Sequence, residues 1–374
     1  MEIAGRMRPL RIGVNALYLI PGGVGGTEIY LRKLVQALAE IDGANEYFLF
    51  TNRETADSLE PGKPNFHTVQ QAVRAAFRPA RIVWEQVPLP LAVAAHRIDV
   101  LLNPGFTAPI LCGSPQVTVF HDLQHKRHPE HFRWSDLPFW RTLLFWSAHV
   151  SRALIADSAA TRDDLERFYR LPRNRIRIVP LGVDANLFQV VRRPEPLLLS
   201  VSTLHPHKNL DRLLRVFAEF RRARPEFRLV IAGLRGFNTA QLDALRQELG
   251  LADSVEFTGW IPREELYDLY ARAFAFVYPS TFEGFGLPVL EALAAGVPAA
   301  CSRIEPLASM AADAAVKFDP ADEADIARAI ERIVCDEPLR AQLAAAGPKR
   351  AALFSWAATA RATLAALVDA ATPS

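Results

Sequence analysis

Short apolar runs alternate along this chain with longer segments in which apolar positions recur every three or four residues. The short runs have the length of buried strands, and the longer segments read as helices with one apolar face. In the first half the pattern predicts strands at residues 11–17, 47–50, 66–69, 98–102, 117–120, 154–157 and 176–179. The alternation restarts at 197–202 and continues with 227–232, 255–257, 273–278, 299–301 and 315–318. Helical stretches such as 209–224 and 323–336 lie between them. Strands that alternate with helices imply parallel α/β architecture, because parallel neighbours need a crossover connection. The polar, proline-bearing stretch Val190-Val-Arg-Arg-Pro-Glu-Pro196 separates the two series and reads as a hinge. The expected organisation is a first domain at 1–189, the hinge at 190–196, a second domain at 197–354 and a terminal helix at 355–374. Each half has the size of one doubly wound unit.

Composition narrows the function classes. The chain has 374 residues, half of them hydrophobic, which is enough for two cores. A net charge of +2 gives no general drive toward nucleic acid. Cys112, Cys301 and Cys335 are widely spaced, odd in number and form no metal pattern, so a reducing compartment is expected. The start, Met1-Glu-Ile-Ala-Gly-Arg, shows no apolar signal core, and no run reaches the apolar length of a membrane span. A cytoplasmic protein is expected, at most peripheral on the cytosolic membrane face.

The most specific segment is Pro279-Ser-Thr-Phe-Glu283-Gly-Phe-Gly-Leu-Pro288-Val-Leu-Glu291-Ala-Leu-Ala-Ala-Gly296-Val-Pro298. An apolar strand runs into a loop with Gly284 and Gly286, and a helix opens around Pro288, where proline's missing N–H costs nothing. Glycines beside unpaired helix N–H groups, at the positive end of the helix dipole, make an anion site. A phosphate would repel Glu283 and Glu291, so these carboxylates are aimed at hydroxyl groups on either side of it. A phosphate between two hydroxyl-bearing groups describes a nucleotide sugar.

Glu283, seven residues and Glu291, with Gly-Phe-Gly-Leu-Pro between them, resemble the E-x7-E motif of retaining glycosyltransferases of family 4. The resemblance implies the GT-B fold, two Rossmann-like domains facing across a cleft. It also implies a last helix that crosses back onto the first domain. The second half carries the more specific part of the resemblance, and the first half is expected to bind the acceptor.

Other segments extend it. The loop Pro21-Gly-Gly-Val-Gly-Gly-Thr-Glu-Ile-Tyr30 opens a helix, and glycine lets backbone approach a ligand closely. It resembles the family's glycine loop facing the donor diphosphate, with Gly25 and Gly26 nearest the helix. Its glycines do not fall as G-x-G-x-x-G, which argues against a dinucleotide fingerprint. His121 follows a buried strand, where open α/β sheets place ligands, and can donate to a hydroxyl. His121-Asp-Leu, with Pro129-Glu130 after it, resembles the family's histidine beside the transferred sugar. His121, His125, His128 and His131 fit no standard zinc spacing, and no metal is expected. In Thr203-Leu-His205-Pro-His207-Lys208-Asn209 the family's lysine is kept as Lys208, while Thr203 stands where an arginine is frequent. That departure leaves one positive charge to be supplied by His207 or an arginine such as Arg235. Gly233-Leu-Arg-Gly236 and the stretch from Phe257 to Leu266 resemble the part that reads the nucleotide base.

Trp134, Phe139, Trp140, Phe145 and Trp146, with Arg133, Arg141 and Arg152, form an aromatic and basic stretch. Core packing with snorkelling arginines is the preferred reading, and a helix lying on an anionic membrane is the alternative. The same choice applies to Arg74, Arg78 and Arg81 with Trp84.

The resemblance implies a hexosyltransferase that uses a nucleoside-diphosphate sugar, with no cofactor and no metal. Lys208, the Gly25–Gly26 loop and the helix start at Gly286–Leu287 would meet leaving-group charge. Glu283 would orient sugar hydroxyls, Glu291 would bind ribose, and His121 would lie near the reacting carbon. Thr203, Gly284 and Phe285 complete the expected donor contacts. A front-face path is preferred over a covalent Glu283 intermediate, because two opposed carboxylates are not available for that chemistry. Resemblance to bacterial polysaccharide mannosyltransferases favours GDP-mannose as donor and a lipid-linked or oligosaccharide acceptor in surface polysaccharide or lipopolysaccharide synthesis. The alternatives are another GT-B enzyme, such as a sugar-nucleotide epimerase or phosphorylase, or an inactive sugar-nucleotide-binding partner. No acid–base pair suited to an epimerase is evident in the first half.

Overall fold

A computed structural model describes residues 8–23, 25–132, 134 and 136–372. Val24 of the glycine loop and Arg133 of the aromatic-basic stretch lie outside the described residues. The chain divides into two compact units, one of residues 1–181 with 356–374 and one of 182–355.

The first unit holds a parallel sheet of β1 (Arg11–Asn15), β2 (Glu46–Thr51), β3 (Phe66–Gln70), β4 (Val100–Asn103), β5 (Gln116–Phe120), β6 (Ala153–Ala156) and β7 (Ile176–Ile178). Their order is β3-β2-β1-β4-β5-β6-β7. The second unit holds β8 (Leu197–Val201), β9 (Arg228–Ala232), β10 (Val255–Gly259), β11 (Ala275–Tyr278), β12 (Ala299–Ser302) and β13 (Ala315–Phe318), in the order β10-β9-β8-β11-β12-β13. Every strand falls on an expected apolar run, with ends differing by a few residues. The central strands β4, β5, β11 and β12 are buried along their whole length, as strands covered by helices on both faces must be.

Both sheets reverse strand order beside their first strand, and ligands of doubly wound sheets bind outside the strand carboxyl ends at that switch point. In the first unit the switch lies between β1 and β4, so the glycine loop and the segment after Asn103 are the loops that flank it. In the second unit it lies between β8 and β11, flanked by the loops that carry Thr203–Lys208 and Glu283–Gly286.

Packing explains why these segments are strands and helices. The helix Leu210–Ala223 buries Leu213, Leu214, Phe217 and Phe220 in a cluster with Leu198, Ile231 and Val277. Each such side chain contributes about 1.5–3 kcal/mol on burial. The terminal helix Trp356–Ala371 belongs to the first unit, where the Thr359 hydroxyl donates to the Pro180 carbonyl at 2.7 Å and Trp356 stands 6.1 Å from the Tyr30 ring.

Two expectations change. Residues 190–196 lie inside the second unit instead of between units. The Arg193 and Glu195 amides donate to the Ala271 and Arg272 carbonyls at 2.9 and 2.8 Å, so this polar stretch pairs its backbone with the end of the helix Arg263–Arg272. The core reading of the aromatic stretch holds for Trp140 and Phe145, which pack against the cluster of Phe120, Leu123 and Tyr169, but fails for Trp134, Phe139 and Trp146, which are exposed. The helix Leu137–Val150 buries Leu143 and Leu144 on one face, Phe139 and Trp146 stand on the other, and Trp134 precedes the helix. Cys112, Cys301 and Cys335 are unpaired, and burial pushes the Cys301 thiol up to about 12. Among the described residues, no helix is long and apolar enough to cross a membrane.

Candidate active site

In the second unit, the loop after β8 and the loop after β11 are laced together at the switch point. The His207 carbonyl accepts from the Thr281 amide at 2.7 Å, the Thr281 hydroxyl at 3.0 Å and the Ser280 hydroxyl at 3.1 Å. Asn209, in a left-handed conformation, donates to the Pro279 and Pro320 carbonyls at 3.0 and 2.8 Å. These bonds fix where Lys208 leaves the backbone. Its ammonium donates to Glu283 Oε1 at 2.6 Å and to the Tyr278 hydroxyl at 3.0 Å. An ammonium has three N–H donors, so one remains to meet an incoming anion. Burial, then the charge of Glu283, raises the Tyr278 hydroxyl well above its usual range, which keeps it a neutral partner.

Glu283 and Lys208 therefore meet, as two site residues 75 positions apart. Gly286 caps the helix Leu287–Ala294 with φ +99°, and a Cβ there would lie 2.1 Å from Leu307 Cδ2. Only glycine fits that combination, which is the physical reason for the loop's second glycine. Phe285 is buried against Phe354, with ring centroids 5.9 Å apart. The loop after β9 is tied to the same place: the Leu204 amide donates to the Leu234 carbonyl at 3.0 Å. Thr203 lies at the end of β8 as expected, and Arg235 is exposed.

Glu291 sits deeper than the motif suggested. It is 4% exposed, and it accepts from Arg263 Nη1 at 2.8 Å and from the Tyr270 hydroxyl at 3.1 Å. Burial opposes the Arg263 charge, but Glu291 and Tyr267 outweigh it and hold the guanidinium above its ordinary value. Arg263 also lies 3.9 Å from Asp184, which accepts from Tyr267 at 2.8 Å. Two lone-pair positions of the Glu291 carboxylate remain for other donors. No motif singled out Arg263 or Tyr270. Their helical spacing of seven, with Tyr267 between, shows that all three share one face, but only the fold shows that this face meets Glu291.

In the first unit, His121 follows β5. Its Nδ1 lies 2.7 Å from Asp157 Oδ2 and its Nε2 lies 3.0 Å from the Pro104 carbonyl. Both neighbours are acceptors, so these contacts favour the protonated ring. Burial lowers its proton affinity, but the charge and hydrogen bond of Asp157 and the Pro104 carbonyl prevail, and its pKa lies above the usual value. The Tyr30 and Phe106 rings stand edge-on to it at 4.8 and 5.1 Å. Asp157 follows strand β6, 36 residues away, and sequence spacing offers no sign of the pair. Gly25 caps the helix Gly26–Ile41 with φ +61° and ψ −129°, a backbone open to glycine, whereas nothing crowds a Cβ at Gly26. Glu85 is a second residue that the motifs missed. It is buried at the same strand ends, with Oε2 accepting from the Thr107 hydroxyl at 2.9 Å and Oε1 without a partner. Burial raises its carboxyl above the usual range against the opposing effects of Thr107 and Arg81.

The histidine cluster separates by role. His125 is buried on the Tyr169 hydroxyl at 2.7 Å, and burial pulls its pKa down to about 4. The fold gathers His128, Glu130 and His131, with ligand atoms within 4.8 Å of one another, which linear spacing did not suggest.

The family model described as Glycosyltransferase Family 4 matches residues 24–187, and that described as Glycosyl transferases group 1 matches residues 185–350. The O-antigen chain mannosyltransferase B of Escherichia coli is 29% identical over 295 residues, 75% of this chain and 75% of that protein. A D-inositol 3-phosphate glycosyltransferase of Stackebrandtia nassauensis is 33% identical over 412 aligned positions, 97% of this chain and 92% of that protein. The solved sucrose-phosphate synthase of Thermosynechococcus elongatus shares the fold, with TM-score 0.79 over 97% of this chain and all of that one, at 22% identity.

Proposed function

The chain belongs to glycosyltransferase family 4, with the GT-B pair of Rossmann-like units, and on that premise we propose that it transfers mannose from GDP-mannose to a hydroxyl of a lipid-linked or growing oligosaccharide. The observation that carries the reading is the Lys208–Glu283 contact at the switch point of the second unit, beside the start of the helix Leu287–Ala294. It unites a cation for a diphosphate with a carboxylate for sugar hydroxyls, which is the chemistry a nucleoside-diphosphate sugar requires.

In this reading Lys208 gives its third N–H to a diphosphate oxygen as the leaving group gains charge. Glu283 takes sugar hydroxyls on its remaining lone pairs, and Glu291 takes the ribose hydroxyls, held in place by Arg263 and Tyr270. Thr203, Gly284 and Leu287 line the donor, and Gly25 and Gly26 face the diphosphate. His121 donates to a hydroxyl of the transferred sugar by exchanging its bond to the Pro104 carbonyl. No step calls for a metal or a cofactor, and the configuration at the sugar carbon is retained. Mannose is favoured by likeness to an O-antigen mannosyltransferase, with surface polysaccharide synthesis as the setting.

Glu85 favours one second reading, a sugar-nucleotide epimerase, because it supplies a buried carboxyl at the first unit's strand ends. Thermal stabilisation by GDP, UDP and ADP and their sugar conjugates, without metal, identifies the base. Transfer of labelled mannose from GDP-mannose into an oligosaccharide or lipid-linked acceptor supports the transferase. Interconversion of the donor without transfer supports the epimerase. An unchanged melting temperature with every nucleotide removes the donor site itself.

A further inference from the structure

The carboxylate that the reading above gives to ribose is held from behind by a chain of contacts that ends on Asp184. Glu291 accepts from Arg263 through Oε1 and from the Tyr270 hydroxyl through Oε2, so both ends of the carboxylate are fixed. Arg263 is in turn held at its other nitrogen. Its Nη2 donates to the Tyr267 hydroxyl at 3.4 Å and lies 3.9 Å from Asp184 Oδ2. The Tyr267 hydroxyl donates onward to Asp184 Oδ2 at 2.8 Å. Burial, with the hydrogen bond to Asp184, outweighs Arg263 and holds the Tyr267 hydroxyl above its ordinary value, so it stays a donor. The guanidinium also lies over the Tyr267 ring, 5.0 Å from its centroid.

Asp184 is itself pinned. It is buried near the start of the second unit. Its Oδ1 accepts from the Asn186 amide at 3.1 Å and caps the short helix Ala185–Gln189. The residue before it is tied as well, the Val183 amide donating to the Phe354 carbonyl at 3.2 Å. One carboxylate oxygen thus serves the local turn, and the other serves Tyr267 and Arg263. The turn accounts only for the first. A guanidinium is planar, and contacts at both η nitrogens fix its plane. Released at one of them, it can swing and carry its Glu291 contact with it. The vicinal hydroxyls of a ribose need acceptor lone pairs in set positions, and a carboxylate held in advance meets them without an ordering cost.

We propose that Asp184 is a positioning residue for the donor ribose. Through Tyr267 and Arg263 it fixes Glu291 in the orientation that accepts the ribose hydroxyls, and so sets the preference for a ribonucleotide over its deoxy form. Asp184 acts through Arg263 and not by touching the donor. The inference rests on the reading of Glu291 as the ribose ligand, and its test separates the two.

The test is calorimetric titration of the full chain with GDP, UDP and ADP and with their 2′-deoxy counterparts, for the parent, Asp184→Asn and Tyr267→Phe. Asp184→Asn keeps an oxygen for the Asn186 amide and turns an amide NH2 toward Tyr267 and Arg263. The nucleotide that binds the parent should bind about tenfold more weakly in its 2′-deoxy form, as expected for one lost hydrogen bond to a charged group. Asp184→Asn should weaken the ribonucleotide about tenfold and the 2′-deoxy form less than about twofold, and Tyr267→Phe should act in the same sense, about threefold. In sugar transfer, Asp184→Asn should raise the donor KM about tenfold with kcat within about twofold, since Lys208 and Glu283 are left in place. Equal losses for the two forms assign Asp184 to the turn alone and overturn the proposal, as does binding that neither variant alters. A parent that binds both forms alike, or binds no nucleotide, overturns the ribose reading of Glu291 and the role of Asp184 with it. The link between the two residues is read apart from any ligand, by urea unfolding of Asp184→Asn, Glu291→Gln and the double variant. Non-additive losses support it, and additive losses overturn it.

Discussion

Replacing Arg263 by alanine removes the cation that faces Glu291. The carboxylate is 4% exposed and would keep the Tyr270 hydroxyl at 3.1 Å as its remaining partner. Taking one member from a buried ion pair costs about 3–5 kcal/mol, because the other charge stays desolvated. The Arg263 side chain is 30% exposed, so water reaches part of the vacated space, and we take the lower end, about 3 kcal/mol. For a unit of this size, each kcal/mol is worth about 2–4 °C, so the second unit should melt about 6–12 °C lower. Arg263→Ala with Glu291→Ala removes both charges and should recover about 1–2 kcal/mol of the loss. The assay is thermal and urea unfolding, with the two units followed as separate transitions. A single variant within about 0.5 kcal/mol of the parent, or strictly additive losses in the double variant, would refute the reasoning.

Other outcomes follow from the same geometry. Lys208→Met should lower kcat about 10²–10³-fold in sugar transfer, the loss expected when one donor to developing charge is removed; a drop under tenfold would take Lys208 out of that role. Asp157→Asn should lower the His121 pKa, read by NMR titration of the ring. His121 is raised in the fold, so its contribution is complete below about pH 6.5 and is lost as pH rises through the folded value, and the variant's melting temperature should no longer show that dependence. An unchanged titration would show that Asp157 is not the controlling charge. Gly286→Ala must adopt φ +99° and displace Leu307, which costs about 1–2 kcal/mol for the backbone and about 1–3 for repacking, read by urea unfolding. A loss under about 0.5 kcal/mol would show that the loop relaxes.

Much of this was legible in one dimension. Strand positions followed from apolar run length, because a strand covered on both faces has no polar side to show. Thr203, Lys208, Glu283 and Gly286 stand out because each sits on a loop that directly follows an apolar strand, and each strand–loop–helix signature is local. Residues 190–196 read as a linker because the stretch is polar and carries prolines, yet their amides pair with Ala271 and Arg272 inside the second unit.

The sequence by itself determined what each segment becomes, since helix and strand periodicity arise from backbone geometry within a few residues. It also determined which residue types those loops carry, the two glutamates and the lysine among them. Only the tertiary structure decided the partners: Asp157 for His121, Arg263 and Tyr270 for Glu291, and Glu283 for Lys208. It alone decided that Phe139 and Trp146 face solvent while Leu143 and Leu144 do not. Partners and exposure depend on which distant segment covers a face, and no local rule of spacing contains that information.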